Sequence, residues 1–191
     1  MADVAPSGVM KENPNVLKKI VLVVVAIIVV LVAVAYILPG SVHVERSASI
    51  NAPAERIFAL VNAPKEFNKW SPWYGRDPDA KYLFEGPEAG VGAKMTWQSD
   101  HDEVGSGTSE IIESVPNELL RTQLDFGDMG TAVAFFQLKP EGEVTNVTWG
   151  FDSELGMNPM ARYMGLMFDE WVGGDYEEGL ANLKKLAESG G

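Results

Sequence analysis

Nineteen consecutive residues without a charge, Ile20 to Leu38 (IVLVVVAIIVVLVAVAYIL), divide the chain into two unequal parts. As a helix rising ~1.5 Å per residue, the run spans about 28 Å, close to the ~30 Å hydrocarbon thickness of a bilayer. Valine and isoleucine dominate it and are poor helix formers in water, but in lipid only a helix satisfies its own backbone groups. Tyr36 falls near one end, where an amphipathic ring prefers the headgroup level, and Pro39-Gly40 stops the helix. A single transmembrane helix over residues 16–39 is therefore predicted. Lys18 and Lys19 directly precede the run, with Lys11 upstream, whereas the first basic residue beyond it is Arg46, beside Glu45. The positive-inside rule then places the amino terminus in the cytoplasm and the remainder outside. Ala33-Val34-Ala35 resembles a signal-peptide cleavage site, the rival reading. The run exceeds the usual ~7–15-residue signal core and continues past that site, which favours an uncleaved anchor. Residues 1–15 are polar and proline-bearing and are expected to be a disordered tail.

Beyond the run, residues 40–191 have the size of one ordinary domain. Cysteine is absent from the sequence, which excludes disulfides, thiolate metal sites and cysteine nucleophiles. The formal net charge of −12 is concentrated there, in 12 basic against 25 acidic residues beyond residue 39. An acidic domain without a basic stripe is a poor binder of phosphate backbones, so no nucleic-acid partner is expected. Anionic headgroups repel it as well, so its membrane attachment should run through the helix.

From Ser41 onward the pattern is strand, helical stretch, run of strands, long helix. Val42, Val44, Ala48 and Ile50 alternate with His43, Glu45, Ser47 and Ser49, a half-buried strand. Ala52-Pro53-Ala54-Glu55 opens a helix whose apolar side carries Ile57, Phe58, Leu60 and Val61, and residues 63–70 form a second short piece. Six strand-like segments come next, near 81–85, 93–99, 107–115, 119–126, 131–139 and 144–152, separated by turn sequences such as Gly127-Asp128-Met129-Gly130. Alternation sets Met95, Trp97, Leu124, Phe126, Ala134, Phe136, Val147 and Trp149 on inward positions. Lys94, Gln98, Arg121, Asp125, Lys139 and Asn146 take the outward ones. A last helix is predicted from the N-cap Asn158 to about Ala187, with Met160, Tyr163, Met164, Met167 and Trp171 as one apolar set and Leu180, Leu183 and Leu186 as another. Gly173-Gly174 between them costs ~1 kcal/mol per glycine relative to alanine, which calls for a kink or a close approach to the sheet.

This order, with Ile50-Asn51-Ala52-Pro53-Ala54-Glu55-Arg56-Ile57-Phe58, Trp70-Ser71-Pro72-Trp73, Gly86-Pro87, Thr148-Trp149-Gly150 and Gly179-Leu180-Leu183-Lys184, resembles the START-like, polyketide cyclase/dehydrase superfamily (SRPBCC) over residues 41–191. The resemblance implies an α+β helix-grip fold, a curved antiparallel sheet around a long carboxy-terminal helix. It also implies an internal cavity for lipids, sterols, polyketides or hormones. The membrane helix is an addition to that domain.

Inward and apolar, Met95, Trp97, Phe126, Ala134, Phe136, Trp149, Tyr163, Met164 and Met167 are the expected cavity lining, thioethers and indoles suiting an adaptable pocket. The bland reading is that they simply form the core. Asp100-His101-Asp102-Glu103 departs from a calcium loop and reads as a solvated hairpin tip. There is no nucleophile elbow, zinc-helix motif or nucleotide fingerprint, and no cofactor or metal is implied. An acid/base pair could be built from Tyr163, Asp169 or Glu110 with a bound water, although Asp169 and Glu170 on a helix more often form its solvated face. Three functions stay open: a membrane-tethered binder or carrier of a hydrophobic small molecule or lipid, a cyclase- or dehydratase-type enzyme, and an envelope interaction module with a filled core. The soluble domain is expected to be monomeric, with no apolar face left over for the anchor.

Overall fold

The computed structural model describes residues 14–189, so the disordered tail expected for residues 1–15 lies outside it except for Pro14 and Asn15, which begin the first helix. That helix, α1 (Pro14–Ala35), is exposed along its span. Among the described residues it is the one helix long and apolar enough to cross a membrane. Two tight turns, Ile37 N–H to Val34 O and Leu38 N–H to Ala35 O, end it before Pro39.

The domain begins at once with β1 (Ser41–Ile50), then α2 (Ala54–Val61) and α3 (Pro64–Phe67). Six more strands complete the sheet: β2 (Lys81–Glu85), β3 (Lys94–Gln98), β4 (Ser106–Val115), β5 (Leu119–Asp125), β6 (Thr131–Glu141) and β7 (Val144–Glu154). They make one antiparallel sheet in the order β1-β7-β6-β5-β4-β3-β2, so the meander closes when its last strand pairs with its first. A register shift between Ile111 and Glu113 bulges β4 and adds to the bend of the sheet. The chain is α+β with a curved sheet and a long terminal helix, as the resemblance implied.

Registers put the inward positions in rows across the sheet. Met95 pairs with Ser109, Ser109 with Leu124, Leu124 with Ala132; Phe136 pairs with Trp149 and Trp149 with Arg46. The alternation read from the sequence therefore converges on one concave face, and the buried core lies on it, against α2 and the terminal helix.

The terminal segment departs from expectation. It is two helices, α4 (Pro159–Gly165) and α5 (Phe168–Glu188), rather than one. Asn158 caps α4 as predicted, its side chain accepting from the N–H groups of Met160 and Ala161. The break falls at Leu166-Met167, where Leu166 N–H bonds Tyr163 O and Met167 N–H bonds Met164 O in short i to i−3 turns. α4 packs on α1, whereas α5 runs along β1, and one straight helix cannot do both. The Gly173-Gly174 pair lies within α5 and leaves the helix continuous. Gly173 is there because the Arg46 guanidinium of β1 occupies the space a Cβ would need; Gly174 has no neighbour within 4 Å of that position.

Candidate functional site: the concave face of the sheet

The floor of the concave face has two halves. Over β1, β7 and β6 it is packed with rings. Trp149, at 2% exposure, stacks on Phe136 at 5.1 Å and on Tyr176 of α5 at 4.0 Å, while Trp70 and Trp73 meet it edge-on at 5.3 and 5.8 Å. α5 can come this close because position 179 is glycine; a Cβ there would stand 2.5 Å from the Trp149 ring. Over β2 to β5 the floor is half-buried: Tyr82 and Phe84, Trp97, Ser109, Thr122, Leu124 and Phe126 all retain exposure, while Met95 and Ile111 are buried. The Trp97 ring occupies the space a Cβ at Gly107 would need and meets Phe126 at 5.9 Å, with its indole N–H on Val104 O at 3.2 Å.

A loop, residues 71–80, joins α5 to the far side of this open half. Asp175 of α5 accepts from Trp73 Nε1 at 2.9 Å and from Arg76 Nη2 at 2.6 Å; Glu178 takes a second bond from Arg76 at 3.2 Å. Across the sheet, Tyr74 contacts Tyr82 of β2 at 5.1 Å, and the Ser99 hydroxyl after β3 donates to Asp77 at 2.5 Å. That hydroxyl bond, with the Asp79 N–H, holds the Asp77 carboxyl below its ordinary range.

Polar chemistry in the packed half comes from Tyr176. Its residue is 3% exposed, with the ring stacked on Trp149 and set edge-on to Phe151 and Trp73. Burial, then the neighbouring Asp175 charge, raises the phenol well above its ordinary value, so it stays a neutral donor at physiological pH. Tyr176 precedes Leu180, Leu183 and Ala187 at helical spacing, all buried; that periodicity was the signal that could have found it.

Of the expected lining, Met95, Trp97, Phe126, Ala134, Phe136 and Trp149 stand on the concave face, with Ala134, Phe136 and Trp149 in its packed half. Tyr163, Met164 and Met167 do not. The helix break takes them away from it: the Tyr163 hydroxyl donates to Leu31 O of α1 at 2.8 Å, and Met164 and Met167 are exposed. The acid/base candidates are likewise dispersed: Glu110 is exposed on the outer face and Asp169 is held by Arg46 at 2.9 Å. His101 and its acidic neighbours form the exposed β3–β4 turn, as expected, and no cluster of three metal-ligating side chains occurs among the described residues. Two open clefts lie elsewhere. One of about 190 Å³ sits between β1 and α4 beside Arg162, the other of about 450 Å³ between Trp70-Ser71 and the end of α5.

A curved antiparallel sheet gripping a terminal helix over an aromatic floor defines a helix-grip domain. Residues 41–188 match the family described as polyketide cyclase / dehydrase and lipid transport, and the chain belongs to that family. Solved structures agree in fold. The di-domain ARO/CYC StfQ from the steffimycin biosynthetic pathway superposes with a TM-score of 0.58 at 9% identity, over 78% of this chain and 51% of that one. The Aha1 dimer from Colwellia psychrerythraea gives 0.51 at 18% identity, over 77% and 96%. A protein from Nitrosospira multiformis gives 0.56 at 19% identity, over 76% and 95%. A comparison with curated proteins finds no match.

Proposed function

We propose that this protein is a membrane-tethered binder of a hydrophobic small molecule or lipid, held on the concave face beneath the 71–80 loop. α1 is the tether, and the lysines before it favour a cytoplasmic amino terminus with the domain outside. The observation that carries the reading is the half-buried apolar floor of β2 to β5, which α5 leaves unroofed by packing on β1 and β7. Apolar walls with few polar groups suit a ligand that is mostly hydrocarbon. The family covers both carriers and enzymes. Binding is favoured over catalysis because the acid/base candidates are dispersed and Tyr176 stands as a single titratable group among rings.

Residues 41–191 contain the whole buried core cluster, so this fragment tests the reading. It should bind cis-parinaric acid saturably, with energy transfer from its tryptophans. Leu124→Trp should abolish binding at an unchanged or higher melting temperature. If the parent shows no saturable binding and Leu124→Trp destabilises by the ~1–3 kcal/mol of an overpacked core, the filled-core interaction module stands instead.

A further inference from the structure

α4 and the residues after it present an apolar face that nothing else in the domain covers. Met157, Met160, Met164, Leu166 and Met167 are exposed, joined by Trp171 of α5; Met160 reaches 67%. Between Leu155 and Phe168 the one charged residue is Arg162. Its guanidinium is engaged on backbone carbonyls, those of Gly156, Ala35, Tyr36 and Leu38 at 2.9 to 3.4 Å. A contiguous apolar patch of this kind on an otherwise acidic domain marks a contact surface.

Its position relative to α1 identifies the occupant. The Tyr163 hydroxyl bonds Leu31 O, four residues before the end of α1 and therefore ~6 Å down its axis. Arg162 meanwhile bonds the carbonyls of Ala35, Tyr36 and Leu38 at and just beyond the end of α1, where the helix supplies no i+4 N–H and lipid cannot stand in for it. α4 is thus fastened at the level of the last turn of the span. The headgroup layer is only ~5–8 Å thick on each side of the hydrocarbon, so a helix fastened there lies within it.

Resting on the reading of α1 as the membrane tether, we infer that α4 with Met167 and Trp171 is an interfacial helix that seats the domain on the lipid surface from which α1 emerges. The methionines enter the acyl boundary and the indole takes the headgroup level. Asp169 and Glu170 stand between Met167 and Trp171 and the segment holds no lysine, so the surface it fits is zwitterionic rather than anionic. The domain is then fixed in one pose, rather than swinging on a flexible linker.

The cysteine-free sequence allows nitroxide labels at single introduced cysteines in the full chain, reconstituted in phosphatidylcholine vesicles. Power saturation against oxygen and a water-soluble nickel chelate reads depth at Met160→Cys and Met164→Cys, with Val25→Cys as the bilayer reference and Lys139→Cys as the aqueous one. Labels at 160 and 164 should show an oxygen-to-nickel accessibility ratio several-fold above that at 139. If 160 and 164 are as wet as 139 while 25 reads the bilayer centre, the interfacial helix is wrong and the span stands. If 25 is wet as well, the span itself fails. Dipolar broadening between copies at 164 would assign the patch to self-association and overturn the lipid contact.

Discussion

Trp149 and the glycines of α5 show how single side chains set the fit between helix and sheet. Gly179 lies where the helix meets the Trp149 ring, itself stacked between Phe136 and Tyr176 and unable to yield. Gly173 makes room for the Arg46 guanidinium, which binds Asp169 and Glu177 at 2.9 Å each. Gly174 has no such neighbour. Alanine substitutions should therefore separate in sign. Gly174→Ala should stabilise the domain by ~0.5–1 kcal/mol, the backbone entropy a helical glycine loses. Gly179→Ala should destabilise it by ~1–3 kcal/mol through overpacking. Thermal unfolding of the two variants side by side checks this; equal shifts would mean that Trp149 does not set the approach of α5. The glycine pair was legible as a feature needing an explanation, but its two members differ only through what stands opposite them.

Among elements, the 71–80 loop is the one whose role sequence reading did not anticipate. Trp70-Ser71-Pro72-Trp73 stood out as a local motif, yet nothing in it announces that Trp73 and Arg76 would meet on Asp175, about a hundred residues later. Such a contact is long-range and polar, and periodicity does not encode it. Asp175 is the shared acceptor, so Asp175→Ala should release both side chains together. Amide exchange over residues 73–80 should quicken while β6 and β7 keep their protection, and the fold should lose ~1 kcal/mol or less, as for a partly exposed ion pair. Unchanged exchange in the loop would show that Tyr74 and Asp77 hold it without α5. The strands contrast with this. Their alternation and turns were read within one or two residues of the observed limits, because a meander is built from local hairpins.

At the scale of the whole molecule, an apolar helix joins an acidic domain through a five-residue turn, residues 36–40, with α4 braced against the junction. The proposed orientation makes a direct prediction. In intact cells, Ser189→Cys should react with a membrane-impermeant thiol reagent and Ser7→Cys should not. The reverse pattern would overturn the orientation, and release of a soluble fragment starting near Tyr36 would show that the anchor is cleaved. The α4 brace also changes the expectation for the isolated domain. With Met160, Met164 and Met167 exposed, a free fragment carries an apolar patch the sequence reading did not foresee.

Hydrophobic pattern alone determined the apolar run of α1, the order of the strands and the sheet's two faces, since each comes from a local period or an unbroken run, while the helix-grip class came from the family resemblance. The inward rows of Met95, Trp97, Phe126, Ala134, Phe136 and Trp149 were legible for the same reason. Only the tertiary structure decided where the last helix breaks, and with it that Tyr163 bonds α1 and Met164 and Met167 are left exposed while Tyr176 enters the aromatic floor. A helical period of apolar residues records that a face is covered but not by what; two partners, α1 and β1, lie in different directions, and the chain had to break to reach both.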